Sequence, residues 1–528
     1  MSEQKNLIKR KSNLSPAKLA LLEKWKQGLG ETKAIQRRTH EGPVPLSFAQ
    51  EQLYYFYQLA PDSHIYNMQM NTPIKRLANV SVLLQCLNEV LKRHESLRTT
   101  FTLIDGKPFQ LISPYQPIDL PVVDLREFPK AEREAEAKRL ASQELKRVFD
   151  LSRDVILRPL LLRMEGNDHI LLLTMHHIAS DGWSLGILSR ELFALFKAFD
   201  KGQPSPLPEL PVQYADFALW QRENLQADGL ERQLAYWKRQ LSGSLPFLNL
   251  PADWPRPPVP SFRGGQEQIV LPKELTEALK NLSEREGVSM FMLMLAAFLV
   301  LLYRYTYQES LTIGSPIANR SRRELEGLIG FFANTIVMST DMSGNPTFLE
   351  LLRRVREVAT GAYAHQDLPY EKLVEALQPE RDQRYNSLFQ VVFAFQNVPA
   401  MGTTRRAEFR PLDIESDVAR VDLECYVWED AGSLHVRFVY STDLFNASTI
   451  RRMLGQYQTL LDQINEHPEV RISRIQLLPT DERERVLSAS MPLARQRGEI
   501  SAFMKRRLKE VVEEVAAGAQ LAPRGELS

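Results

Sequence analysis

Two adjacent histidines, His176 and His177, followed by Asp181 and Gly182 in Met175-His176-His177-Ile178-Ala179-Ser180-Asp181-Gly182-Trp183-Ser184, are the residues best suited to chemistry. A neutral imidazole can accept a proton or hold a nucleophile by a hydrogen bond near pH 7. Neighbouring side chains on an extended segment point to opposite sides. One ring can therefore face a substrate while the other anchors the loop. Asp181 is placed to pair with a buried arginine, and Gly182 lets backbone approach a ligand closely. Adjacent histidines rarely share one ion and no cysteine or aspartate spacing completes a shell, so no metal is expected. Two buried histidines alone would read as satisfied core groups. The added Asp-Gly at a strand-to-helix turn points to catalysis.

The elements that must position this stretch are legible from periodicity. Ile170–Met175 is an apolar strand and a helix runs from about Ser184 to Phe199, so the histidines sit where a rigid scaffold presents side chains to a cleft. Upstream, Ser47-x-x-Gln50 is a capping box opening a helix to about Leu59. Tyr66–Lys75 is strand-like, and Val80–His94 carries one apolar helical face. Arg98–Ile104 and Pro108–Ile112 form a hairpin around Asp105-Gly106. Ala131–Val148 is a surface helix and Pro159–Met164 a strand. Prolines crowd residues 200–265 around one helix at about Gln213–Leu241. A second series follows: strands at Gln266–Leu271, Leu311–Ser315, Thr335–Thr340, Leu388–Phe395, Val421–Trp428 and Ser433–Tyr440, helices at Lys273–Glu286, Ser289–Tyr307, Thr347–Ala364 and Ala447–Asn465. Strands mixed with helices in both halves predict an α/β chain of two α+β sandwich lobes.

The expected division is a leader over 1–43, an N-terminal lobe over 44–222 and a connection over 223–265. A C-terminal lobe over 266–480 and a tail over 481–528 complete it. The leader holds a helix between Ser15 and Gly28, and Ile500–Val515 is an amphipathic helix. At 528 residues, 44% hydrophobic and 25% charged, the composition is that of a soluble globular protein. A formal net charge of +1 offers no field for nucleic acid or an anionic membrane. Met290–Tyr303, the longest apolar run, falls short of the ~20 residues a bilayer requires and reads as a core helix. Cys86 and Cys425, the two cysteines, read as buried thiols. With no signal-peptide pattern, a cytoplasmic location is expected.

His176-His177-x-x-x-Asp181-Gly182 resembles the signature of nonribosomal peptide synthetase condensation domains, within the chloramphenicol acetyltransferase-like acyltransferases. Further blocks occur in the family's order. Leu46-Ser47-Phe48-Ala49-Gln50 with Leu53-Tyr54, and Arg93-His94-Glu95-Ser96-Leu97-Arg98-Thr99-Thr100-Phe101, precede the histidines. Tyr214-Ala215-Asp216-Phe217-Ala218-Leu219-Trp220, Ile329-Gly330-Phe331-Phe332-Ala333-Asn334-Thr335 and His365-Gln366-Asp367-Leu368-Pro369-Tyr370-Glu371 follow them. The resemblance covers about residues 44–480. Gln52, Tyr54 and Ser339 depart from the family's pattern, which touches substrate preference more than fold.

The resemblance implies two acyltransferase-like lobes forming a V, with the histidine loop midway along a central tunnel. It implies amide formation between a donor thioester and an acceptor amine, both carried on phosphopantetheine arms. Donor and acceptor peptidyl carrier domains would act in trans, an adenylation domain is a further candidate partner, and no diffusible cofactor is needed. The form of the histidine block resembles domains that join an L-donor to an L-acceptor. His177 is the expected catalytic residue, as base or as positioning group, with His176 orienting the loop. Asp181 is expected to be structural, paired with Arg320 in preference to Arg98. The Gly182 backbone is a candidate oxyanion contact. Trp183, Ser315 and Asn334 are candidate tunnel-lining residues. A monomer is expected. Two alternatives remain: an acyltransferase using coenzyme A thioesters or alcohol acceptors, and a noncatalytic platform that recruits other proteins.

Overall fold

Strands sort into sheets by chain half. The computed structural model describes residues 34–39, 41–77, 79–224, 228–242, 247–379, 384–396 and 418–477. In the first half, β2 (Asn67–Ile74), β5 (Val122–Asp124), β6 (Leu157–Glu165) and β7 (Asp168–His176) form a sheet ordered β2-β7-β6-β5. A smaller sheet joins β1 (Val44–Pro45), β4 (Lys107–Ile112) and β3 (Thr99–Ile104). The second half builds β8 (Gly264–Val270), β9 (Ser310–Ile317), β10 (Asn334–Asp341), β11 (Val391–Gln396), β12 (Leu423–Asp430) and β13 (Ser433–Ser441) into one sheet, ordered β10-β9-β11-β12-β13-β8. No sheet mixes strands of the two halves, and each half combines strands with helices, as the mixed pattern predicts.

The helices that pack these sheets follow their local signals. Ser47 accepts from the Gln50 amide while the Gln50 side chain accepts from the Ser47 amide, which starts α1 (Phe48–Leu59). α2 (Val80–Arg93) buries Leu83, Cys86, Leu87, Val90 and Leu91. α3 (Lys130–Lys146) buries only Ala137 and Ala141, as a charged surface helix does. α4 (Gly182–Phe199) begins directly after the histidine loop. It starts two residues before the expected Ser184 and is capped by Asp181, whose carboxylate accepts the Ser184 amide. The single helix expected near Gln213–Leu241 is two, α5 (Tyr214–Asn224) and α6 (Asp228–Gln240).

In the second half, α7 (Lys273–Arg285), α8 (Met290–Thr306), α9 (Phe348–Ala364), α10 (Tyr370–Leu377) and α11 (Ala447–Glu466) surround the sheet. α8 buries every residue from Phe291 to Leu302, which explains its apolar circumference without a membrane. No single helix among the described residues is long and apolar enough to cross one. Cys86 and Cys425 are both buried free thiols. The leader helix expected between Ser15 and Gly28 and the tail helix at Ile500–Val515 lie outside the described residues.

A segment of the second half crosses to the first. Ser96 donates to the Ile329 carbonyl at 2.7 Å, and the Ile329 amide donates to His94 Nδ1 at 3.3 Å. The Gly330 amide reaches Ser184 Oγ at 3.1 Å. Tyr214 donates to the Phe331 carbonyl at 2.6 Å, and the Phe332 amide reaches Asp181 Oδ2 at 3.1 Å. Successive backbone groups of 329–332 are therefore bound by first-half side chains. Gly330 is required by this closeness, since a Cβ there would lie 2.0 Å from Tyr214 Cδ2. The ring cannot retreat, being held at its hydroxyl by Phe331 and by Ser47 at 2.8 Å. Gly330→Ala should cost about 1–3 kcal/mol by overpacking. A lowered thermal midpoint that recovers in a Tyr214→Ala background checks this; an unchanged midpoint in the single variant counts against the clash.

Candidate active site

β7 ends at His176 because the chain turns into a short 3₁₀ segment, His177–Ala179. His176 stays in the core, 6% exposed. Its Nδ1 accepts the Ile178 amide at 3.1 Å, and its ring lies 6.2 Å from Phe149. That is an anchoring role. The His177 amide donates to the Tyr66 carbonyl at 2.8 Å. Its Nδ1 lies 3.1 Å from the Ser180 carbonyl. A carbonyl only accepts, so Nδ1 carries the proton and Nε2 keeps a lone pair. Gln50 fixes the same turn by donating to the Ile178 carbonyl at 3.0 Å.

The His177 ring stands between Tyr66, at 6.3 Å, and Phe331 of the crossing segment, at 5.6 Å. Each of these rings borders a cavity. On the Tyr66 side the cavity is about 230 Å³ and also includes Phe56, Phe262, Asn386 and Arg420. On the Phe331 side a small cavity of about 10 Å³ reaches Asn334 and Glu371. Among the described residues Glu371 Oε2 is buried without a partner, and burial pushes its carboxyl up to about 7.

Burial also dominates the imidazoles. It drives His177 well below the usual range, and the Arg420 charge adds to this. His176 is pushed down to about 3 by burial, with Arg158 adding. Both rings are neutral at pH 7. Above the unfolded-state pKa of about 6.5, neither state binds these protons. Below it, only the unfolded chain takes them up, so stability falls with pH by up to ~1.4 kcal/mol per unit for each ring, down toward the folded values. Urea midpoints from pH 7.5 to 5 should show this decline, reduced in His176→Asn. A slope unchanged by that substitution contradicts the assignment.

Asp181 pairs with Arg320 at 3.1 Å, their side chains 4% and 1% exposed. Arg98 is not the partner: it donates to the Ser113 carbonyl and lies 3.9 Å from Glu95. Gly182 occupies the first turn of α4, exposed, with open space where a Cβ would stand. Of the expected tunnel residues, Trp183 instead ties the halves together, its indole donating to the Glu326 carbonyl at 3.1 Å. Ser315 does not line either cavity: it is buried in β9 and donates to Phe393 of β11 at 2.9 Å. Asn334 borders the small cavity but chiefly holds residues 366–370, donating to Gln366 and Leu368 and accepting from Tyr370. Tyr66, Phe331, Glu371 and Arg420 are site residues that sequence reasoning does not single out. Phe331 and Glu371 fall within recognisable blocks, whereas nothing local marks Tyr66 or Arg420.

Two α/β halves closing over a histidine loop define the chloramphenicol acetyltransferase-like architecture. The chain belongs to the condensation-domain family, whose Condensation domain matches residues 40–487. It is 44% identical over 455 residues to chondramide synthase cmdD of Chondromyces crocatus, covering 85% of this chain and 12% of that protein. It is 38% identical to phosphinothricin tripeptide synthetase PhsC of Streptomyces viridochromogenes, covering 91% of this chain and 45% of that protein. The chain thus spans less than half of either relative. Among solved structures, the X-domain from teicoplanin biosynthesis superposes with a TM-score of 0.74 at 28% identity, covering 84% of this chain and all of that one. The first condensation domain of the calcium-dependent antibiotic synthetase, solved with a substrate analogue, gives 0.68 at 20% identity over 83% of this chain and all of that one, which shows the fold alone.

Proposed function

We propose that this chain forms an amide bond between a donor thioester and an acceptor amine, each brought on the phosphopantetheine arm of a carrier domain. The observation that carries this is His177: a neutral ring with its Nδ1 proton committed to Ser180 and, among the described residues, no partner on Nε2, packed between Tyr66 and Phe331, each of which borders a cavity. The amine nitrogen attacks the thioester carbon, the C–S bond breaks, and the amine proton ends on the released thiol. His177 Nε2 accepts a hydrogen bond from the amine and orients its lone pair. Its low basicity suits it to holding the amine better than to keeping the proton. The Gly182 amide, in the first turn of α4, is the candidate contact for the developing oxyanion. Asp181 and Arg320 hold the loop without touching substrate.

Holding two tethered reactants in near-attack geometry supplies ~7–11 kcal/mol of barrier reduction, so most of the catalysis comes from placement. The carriers, an adenylation domain that loads them, the cytoplasmic location and the L-donor/L-acceptor preference belong to the same proposal. A second reading has one observation behind it: an X-domain solved in complex with OxyB superposes with a TM-score of 0.74, so this fold also serves as a docking platform. Mixing the purified chain with two loaded carriers and following the acceptor carrier by mass spectrometry separates them. An amide-extended acceptor is expected. Turnover only with coenzyme A thioesters, or none with any donor, overturns the proposal.

A further inference from the structure

The cavity on the Tyr66 side has a charge arrangement that the bond-forming step does not use. Arg256, Arg384 and Arg420 line it with two carboxylates, Asp422 and Asp443. Both carboxylates are engaged. Arg256 grips Asp422 through two hydrogen bonds, one of them 2.8 Å. Asp443 accepts from the Ser261 amide at 2.9 Å and hydroxyl at 2.7 Å, and from Arg263 at 3.4 Å. Glu424, the carboxylate nearest in sequence to Arg420 after Asp422, spends one oxygen on the Arg420 amide at 3.1 Å and the other on the Tyr426 hydroxyl at 2.5 Å.

The Glu424 charge lies close enough to favour the ionised Arg420, but the guanidinium makes no hydrogen bond to that carboxylate among the described residues. Among the described residues its only side-chain hydrogen bond is to the Ile65 carbonyl, at 3.4 Å. It also lies 5.6 Å from the centre of the Tyr66 ring. A guanidinium carries five N–H donors in a fixed fork. Arg420 is solvent-exposed and lines an open cavity whose walls are apolar at Phe56, Phe262 and Leu444. A cation so placed favours a carboxylate, which it can bind bidentately. Tyr66 borders this cavity and its ring lies 6.3 Å from that of His177, so the cavity lies one aromatic ring away from the reaction centre.

We propose that this cavity receives the side chain of one of the two joined groups, and that Arg420 selects a side-chain carboxylate there. The inference rests on the condensation reading for the identity of its ligand, an acidic aminoacyl group on a pantetheine arm. It differs from that reading in predicting a preference that is visible in binding alone.

Calorimetry with the full chain tests it, using non-cleavable pantetheine amides of glutamate, glutamine and norleucine. Each is made with a free α-amine, as an acceptor, and N-acetylated, as a donor. In one of these two arms the glutamate probe should bind at least ten-fold tighter than the glutamine and norleucine probes. Arg420→Met should reduce that ratio to within about two-fold, and Arg420→Lys should leave it intermediate, since a point charge replaces the fork. Equal affinities for the three side chains in the wild-type chain, in both arms, overturn the proposal whether or not the variants fold. So does a preference that persists in a folded Arg420→Met. Selective binding without amide product in the carrier assay leaves the pocket standing and removes the condensation reading. Amide product without side-chain preference does the reverse.

Discussion

Alanine at position 177 should slow amide formation by about 10²–10⁴-fold, the range for loss of one positioned acid–base or hydrogen-bonding group. The reason lies in the tautomer. With Nδ1–H given to Ser180, the ring offers one lone pair, and truncation leaves no other acceptor on that side chain. Residual activity should persist, because proximity of the two tethered reactants does not depend on the imidazole. The fold should tolerate the change. His177 is half-buried, and the loop remains held by Gln50, Tyr66 and the Asp181 cap. The lost Ser180 hydrogen bond costs only ~1 kcal/mol. Single-turnover rates with loaded carriers, beside circular dichroism melts, check both halves of the expectation. A rate within ten-fold of wild type would remove His177 from the chemistry and leave proximity alone. Between pH 6 and 8 the wild-type rate should show no titration of this ring, because burial and Arg420 hold it neutral throughout.

The second large effect is on stability. Arg320→Met should destabilise the chain by ~3–5 kcal/mol, since it strands a carboxylate in a site closed to water. The Arg320 guanidinium binds Asp181 at 3.1 and 3.3 Å, Ser184 at 3.0 Å and the Leu325 and Leu328 carbonyls at 2.7 Å each. The Asp181 carboxylate also caps α4 and accepts the Phe332 amide. One ion pair therefore joins the histidine loop, a helix start and the crossing segment. Asp181→Asn should lower the urea midpoint too. The double variant should lose less than the sum of the singles, because no unpaired charge remains. Additive losses would mean the two residues act separately. The Arg320 substitution should also slow the reaction, because Phe331 packs on His177 from the segment this arginine holds.

Much of the scaffold is legible because its signals are local. A capping box at Ser47 and Gln50, Asp105-Gly106 with both residues at positive φ, and one apolar face on Val80–Arg93 each declare their element within a few residues. Most element ends lie within a few positions of those expected. α10 and the short strands β1 and β5 give no such signal, as they are too brief for periodicity. The start of α4 is hidden for another reason: its cap, Asp181, doubles as an ion-pair partner and is conspicuous in that role first.

The candidate site divides in the same way. His176, His177, Asp181 and Gly182 can be read from a single strand-to-turn stretch, and Arg320 from its chemistry as a partner for buried charge. The tautomer of His177, its neutrality, and the placement of Tyr66, Phe331 and Arg420 around it cannot. Those three lie 111, 154 and 243 positions away in the chain, and their approach is set by packing between the halves and not by any local pattern. Ser315 and Trp183 show the converse: neighbours of informative motifs, they are turned by tertiary packing toward Phe393 and Glu326. Which residues could react is readable along the chain, because reactivity belongs to side-chain type and local turn geometry. Only the folded chain decided which of them share a cavity, because that is a property of surfaces brought together from opposite halves.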